Sequence, residues 1–385
     1  MQFIFWVMLL LLFHSYIGYA LLMFIISLFK NKRTNNITNI YYNKISIIVP
    51  AYNEALVIEQ KIKNLLSLSS NELQVEIIFV TDGSTDNSIN IINNYPQIKL
   101  LHQPIRQGKA VAINRAIQNA THSIIIITDA NTVINKEALM YLLPHFNNEK
   151  VGGVSGEKRI TAKGVVGISE SLYWQYESFM KKTESNIHSV IAGAGELFAF
   201  RKELYKPLQE NLLIDDFMLS ASILQQGYKI VYEEKAVATE PPSTNLLQEA
   251  NRKVRIGAGA AQAMKMLGFF PYKNATLNFQ YQTRRVIRWL IGPIALPVLL
   301  VLNYFIFIQT QSLFFQYFLY IQIIFYATAV TDFLLQLLGI NIKLLAIPFY
   351  FVFMNMCMLA GIIKYLVVGQ SVNWSKAQRQ VISHS

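Results

Sequence analysis

Ile45-Ser46-Ile47-Ile48-Val49-Pro50-Ala51-Tyr52-Asn53-Glu54 is the stretch that decides the fold. Its first half is β-branched and apolar on both faces, as in a strand buried on both sides of a parallel sheet. Pro50 ends the run and a polar cluster follows at once. The pattern recurs twice. Val75–Val80 runs into Thr81-Asp82-Gly83-Ser84, and Ser123–Thr128 runs into Asp129-Ala130-Asn131. Helical stretches at about 55–68, 86–94 and 109–119 separate the strands. The alternation predicts an α/β fold with a mostly parallel, doubly wound sheet, whose ligands bind beyond the carboxyl ends of the strands. All three polar clusters stand at such ends. Thr239–Leu267 reads as a further helix leading to the apolar end of the chain.

Working outward, the chain is a water-soluble middle between two apolar ends. Of 385 residues, 53% are apolar and 15% charged, with a mean hydropathy of +0.31. A soluble domain has about 25% charged residues. Met1–Phe29 holds no Lys, Arg, Asp or Glu, and Val286 onward holds five basic residues and the single acid Asp332. The net charge is +11. Membrane proximity explains that sign, so nucleic acid is not expected as a partner and membrane lipids are. The single cysteine, Cys357, excludes a disulfide framework and a cysteine-based zinc site.

Phe3–Phe29 is long enough to cross a bilayer, which takes about 20 residues. Positive charges follow it at Lys30, Lys32 and Arg33 rather than preceding it. This argues against a cleaved signal peptide and places the middle domain on the cytoplasmic side. Further spans are expected at about 287–309, 313–338 and 343–368. His14 and Asp332, inside apolar runs, are expected to find partners within the bundle.

With these elements in order, the chain resembles glycosyltransferase family 2, the nucleotide-sugar transferases of GT-A fold, in its membrane-bound branch of polysaccharide and glycolipid synthases. The likeness covers about 45–270. It is carried by Val49-Pro-Ala-Tyr-Asn-Glu54, Thr81-Asp-Gly-Ser-Thr-Asp86, Arg106 with Gly108-Lys109, Thr128-Asp-Ala-Asn131, Asp215-Asp216 and Arg252-x-x-Arg255.

The resemblance implies donor contacts at Pro50, Tyr52, Glu54, Asp82, Lys109, Asp129, Arg252 and Arg255. A carboxylate at Asp82 suits the imide N–H of uracil or ribose hydroxyls. The bland reading of an Asp before Gly83 is a turn residue. Asp129 and Asn131 stand at the family's two-acid motif, which implies Mg2+ or Mn2+ bridging the diphosphate. An amide oxygen is a weaker ligand than a carboxylate but a legitimate one. Lys109 precedes a helix beside Gly108, where a phosphate contact is plausible. Asp216 matches the family's general base, and a neighbouring carboxylate tends to raise one pKa. Paired acids at a helix start also serve as caps. Arg252 and Arg255 share a helix face. Arg252 replaces the family's Gln, and Ile256 replaces the Trp that stacks on acceptor sugar in processive synthases. Gly193-Ala194-Gly195-Glu196 stands where the family has its acceptor-side wall, and a simple turn fits it as well. Tyr173, Trp174 and Tyr176 suit stacking on sugar or lipid, and suit a buried helix face better.

The expected organisation is an N-terminal transmembrane helix (1–30), a cytoplasmic GT-A domain (40–270), an interfacial segment (271–285), three transmembrane helices (286–370) and a tail (371–385). The expected activity is inverting transfer of a sugar from a nucleotide-sugar, a UDP-sugar, to a lipid-linked or glycan acceptor at a bacterial inner membrane. A processive polysaccharide synthase is the alternative, and an inactive scaffold of the same fold a second. A homo-oligomer and an export partner both stay open.

Overall fold

The computed structural model describes residues 1–30, 42–68, 73–161, 164–243, 245–338, 340 and 342–369. Lys32, Arg33 and the tail 371–385 lie outside the described residues.

The strands are β1 (Lys44–Ala51), β2 (Gln74–Asp82), β3 (Lys99–Gln103), β4 (Ile124–Ile127), β5 (Val133–Ile134), β6 (Val151–Ile160), β7 (Phe198–Arg201) and β8 (Lys229–Glu240). They form one sheet in the order β3-β2-β1-β4-β7-β6-β8-β5. β1 pairs in parallel with β2 and β4, and β2 with β3. β7 runs antiparallel to β4 and β6, β5 antiparallel to β8, and β6 parallel to β8. The sheet is thus mixed, with the doubly wound pattern confined to its first half.

Alternation along β1 builds two cores. Ile45, Ile47 and Val49 pack with Ile58, Ile62 and Leu65 of the helix Ile58–Leu66. Ile48 faces the opposite layer, with Ala112, Ile113 and Ala116 of the helix Lys109–Asn119. Pro50 lies beyond Ile48, the last residue of β1 that pairs with β4, so its missing N–H removes no bond to that neighbour.

Four helices are long and apolar enough to cross a membrane: Gln2–Leu28, Ala275–Thr310, Leu313–Leu337 and Leu344–Val367. The last three carry the spans expected at 287–309, 313–338 and 343–368. The second begins at Ala275, so Arg284 and Arg285 stand in the same continuous helix as Arg288. His14 bonds Thr283 at 3.2 Å, and Gln336 donates to Asp332 at 2.5 Å, so both polar residues find partners within the helices.

The segment expected as one helix from Thr239 divides. Thr239 and Glu240 close β8, and the helix starts at Leu246, where the Asn245 side chain accepts from Gln248 N–H. This helix, Leu246–Leu267, lies against Lys343–Val367 at two glycines. A Cβ on Gly257 would strike the Met358 backbone oxygen, and one on Gly361 the Val254 backbone oxygen. The two backbones touch there because neither position carries a side chain.

Candidate active site

The carboxyl ends of β1, β2 and β4 meet through their loops. Asn53 has φ 54°, and its Oδ1 accepts from Thr85 N–H at 2.8 Å. Ala55 N–H donates to Asp86 at 2.9 Å, and Glu54 N–H to Ser88 Oγ at 2.9 Å. The polar residues after β1 and β2 thus lash the two loops together. Beside them the Arg106 guanidinium lies 3.7 Å over the Tyr52 ring, a charged and flat surface suited to a stacked base.

Asp82 ends β2 and is buried. Its two oxygens accept from Gln107 N–H at 2.9 Å and Gly108 N–H at 2.7 Å. In this structure it shapes the turn that starts the helix Lys109–Asn119. Gly108 has φ 104°, a conformation that glycine tolerates and L side chains rarely adopt.

Lys109, the first residue of that helix, reaches 2.9 Å from Asp129 Oδ1 and 3.7 Å from Asp215 Oδ2. Burial opposes its charge, but Asp129 and Asp215 outweigh it and raise the lysine above its ordinary range. Asp129 follows β4, and its backbone oxygen accepts from Thr132 Oγ1 at 2.9 Å. Beneath this loop lies Lys61, 1% exposed, donating to Thr128 Oγ1, Thr132 O and Thr132 Oγ1 at 2.8, 2.9 and 3.0 Å. Burial pulls Lys61 down to about 7. The sequence held no sign of this buried cation, because a lysine in an amphipathic helix ordinarily reads as solvated.

Asp215 and Asp216 open the helix Asp215–Gln225, with Ile214 at the N-cap position. Asp216 accepts from Phe217 N–H at 2.8 Å. Loss of solvation, then the charge of Asp215, raises its carboxyl to about 6, with Lys109 acting in the opposite sense. A Cβ on Gly195 would come within 3.4 Å of Asp216 Oδ2, so the Gly193–Glu196 segment forms a wall against the acid.

These groups line a cleft of about 250 Å³. Lys109, Asp129, Asp216, Arg252 and Arg255 line it together, whereas Pro50, Tyr52, Glu54, Asp82 and Asn131 do not. Asn131 turns its Nδ2 to Glu240 Oε1 at 3.0 Å. Glu240 in turn holds Lys158 at 2.6 Å, and Lys158 also pairs with Glu196. Arg252 is engaged by two carboxylates, Glu249 at 2.9 Å and Glu170 at 2.6 Å. Arg255 lines the cleft one turn further along and makes no ion pair with a described residue. Tyr173 and Trp174 also line it, so the aromatic face of Gly164–Ile187 reaches the site.

Sequence reasoning missed Lys158, Lys181, Glu240, Lys253, Arg285 and Arg288. They come from strands and helices whose mutual placement no local motif encodes.

The donor set suits a hard cation. Asp129 offers a carboxylate to the cleft, and Mg2+ is commonly held by one or two carboxylates plus substrate phosphates. Among the described residues no three His, Cys, Asp or Glu side chains group as a self-sufficient metal site.

A mixed α/β sheet with its polar loops gathered over one edge, joined to four membrane-length helices, defines a GT-A-type domain built onto a membrane bundle. Residues 46–208 match the model of Glycosyl transferase family 2. Poly-β-1,6-N-acetyl-D-glucosamine synthase of Staphylococcus epidermidis is 29% identical over 202 residues, covering 50% of this chain and 48% of that protein. Its counterpart in Staphylococcus aureus is 27% identical over 205 residues, with coverage of 50% and 48%. The chain thus spans about half the length of the curated relatives it matches. The structure of mannosyltransferase PcManGT from Pyrobaculum calidifontis, in complex with GDP-Man and Mn2+, superposes with a TM-score of 0.72 over 94% of this chain and 99% of that one. At 21% identity this likeness shows the fold.

Proposed function

We propose that the protein is a membrane-embedded inverting glycosyltransferase that moves a sugar from a UDP-sugar to a lipid-linked or glycan acceptor. The observation that carries this reading is the meeting of Asp216, Lys109, Asp129 and Arg255 in one cleft. The acceptor hydroxyl gives its proton to the Asp216 carboxylate while its oxygen bonds the anomeric carbon. The bond from that carbon to the diphosphate breaks on the opposite side, and its electron pair leaves with the nucleotide. A carboxyl raised to about 6 is ionised at neutral pH yet basic enough to take that proton.

Lys109 and Arg255 face the charge that develops on the diphosphate. Arg252, already held by Glu249 and Glu170, fixes the helix that presents Arg255. Asp82 acts on the donor through the loop it shapes. Asp129 would hold Mg2+ or Mn2+, which would neutralise the diphosphate and stabilise it as a leaving group, whereas Asn131, itself outside the cleft lining and bonded to Glu240, would not join it. The catalytic domain lies on the cytoplasmic side, consistent with the charge that follows the first apolar run.

The test is a screen of the purified protein in detergent against UDP-sugars and GDP-mannose, read as nucleotide release with and without added membrane lipid extract. Release stimulated by the extract for one donor is expected. No release from any donor would sink the enzymatic reading. The names of the staphylococcal relatives favour a processive synthase as a second reading. Product length in the same assay separates the two.

A further inference from the structure

An apolar cavity of about 580 Å³ lies beside the cleft. Leu12 and Ile17 of the first membrane-length helix, Leu172, and Ile347 and Phe351 of the last helix wall it. Ile17, Leu172 and Ile347 are themselves exposed, so the cavity opens at an apolar face of the molecule. Tyr16, Tyr173, Arg288 and Met354 line both this cavity and the cleft that contains Asp216. The two spaces share one wall.

Charge at that wall is unbalanced. Arg284 pairs with Glu177 and with Glu184 at 3.1 Å, and Arg288 pairs with Glu177 at 2.8 Å. Arg285 lies between them in sequence, lines the cleft and is 8% exposed. Among the described residues it makes no ion pair and its Nε has no hydrogen-bond partner, and its guanidinium lies 4.2 Å over the Trp289 ring. Three guanidiniums therefore face two carboxylates. A buried cation without a counter-charge is costly, and an anion arriving there would be held strongly.

We propose that this cavity holds the hydrocarbon chain of a lipid acceptor, whose phosphate linkage lies against Arg285 and Arg288 and whose sugar hydroxyl reaches Asp216. The inference rests on the glycosyltransferase reading above and names its acceptor class. Two features select this occupant. The chain-sized apolar space demands an alkyl or polyprenyl tail. The surplus guanidinium, in the cleft beside the wall that Arg288 shares with that space, demands an anion at the head of the same molecule. The acceptor reaches the cleft laterally, from within the bilayer.

The probe is a long-chain alkyl diphosphate N-acetylglucosaminide with a diazirine in its chain, applied to the full chain in phosphatidylcholine nanodiscs. Peptide mass spectrometry is expected to place the label on the cavity walls, around Leu12, Ile17 and Leu172. Ile347→Trp and, independently, Leu172→Trp fill the cavity, and each is expected to cut labelling about tenfold while UDP binding by calorimetry is unchanged. Arg285→Gln is expected to weaken labelling by the diphosphate probe and to leave labelling by a neutral alkyl glycoside unaltered. Label spread evenly over the exposed face of Leu313–Leu337, or label displaced equally well by phosphatidylglycerol, would overturn the inference while intact UDP binding left the transferase reading standing. Loss of UDP binding in the unsubstituted protein would instead remove the transferase reading itself.

Discussion

Lys109 Nζ lies 2.9 Å from Asp129 Oδ1 and 3.7 Å from Asp215 Oδ2, so one ammonium ties the end of β4 to the start of the helix that carries Asp216. It also holds the Asp216 carboxyl lower than burial alone would. Lys109→Met should therefore move the acid limb of the pH–rate profile upward from its expected position near 6. It should also raise the donor KM if Lys109 makes the phosphate contact proposed above. An acid limb that stays in place would show that Lys109 does not act on Asp216.

Asp216→Asn keeps the shape of the side chain but cannot take a proton. Turnover should fall by about 10²–10⁴-fold, the usual loss on removing a general base, with UDP binding within a few-fold of the parent. The substitution should also stabilise the fold at neutral pH. The folded-state value, about 6, lies above the ordinary carboxyl value of 3.8. Between the two the folded state binds the extra proton, so stability falls as pH rises through that window. The cost is fully present at pH 7 and is absent from the Asn variant. Thermal unfolding in detergent at pH 4 and pH 7 checks the sign. If Asp215→Asn is instead the inactive protein with binding retained, the base lies one residue earlier.

Arg252 and Arg255 should separate cleanly. Arg255→Gln should weaken UDP binding with little change in unfolding temperature. Arg252→Gln leaves Glu249 and Glu170 short of a partner in a buried setting. Breaking such a pair costs about 3–5 kcal/mol, so it should lower stability first and activity in consequence. Calorimetry beside thermal unfolding distinguishes them. Equal loss of UDP affinity in two equally stable proteins would return Arg252 to the donor site.

Lys61 supports Asp129 from below by holding Thr128 and Thr132. Lys61→Met should lower turnover by about tenfold or more through misplacement of the loop. Burial brings the lysine to about 7 in the folded protein, against its ordinary value of 10.5. Above pH 7 the unfolded chain holds a proton that the folded protein has released, so this group makes stability rise with pH from about 7 toward 10.5. The Met variant should lose that slope when both are measured without divalent ion.

Asp129→Ala should abolish metal-stimulated UDP binding and turnover together. Full activity of the parent in excess chelator would remove the ion from the mechanism.

The first half of the domain was legible because each strand there is a short β-branched run with its polar cluster attached. Asp215-Asp216 was legible for a similar reason, as two acids at a helix start in a recognisable order. The second half was not. β5 has two residues and β7 four, and their antiparallel pairing with distant strands leaves no periodic signal. Arg252 shows the limit for single residues. Its sequence position invites a substrate contact, and only the arrival of Glu170 from another helix reveals that it is already engaged.

The contact of Gly257 with Met358 and of Gly361 with Val254 has a mechanical meaning. The helix that presents Arg255 to the cleft is seated backbone to backbone on the last membrane-length helix, with no side chain between them to act as a cushion. A shift of the last helix would therefore carry the helix of Arg255 with it, since at those two glycines no compressible side chain separates the backbones.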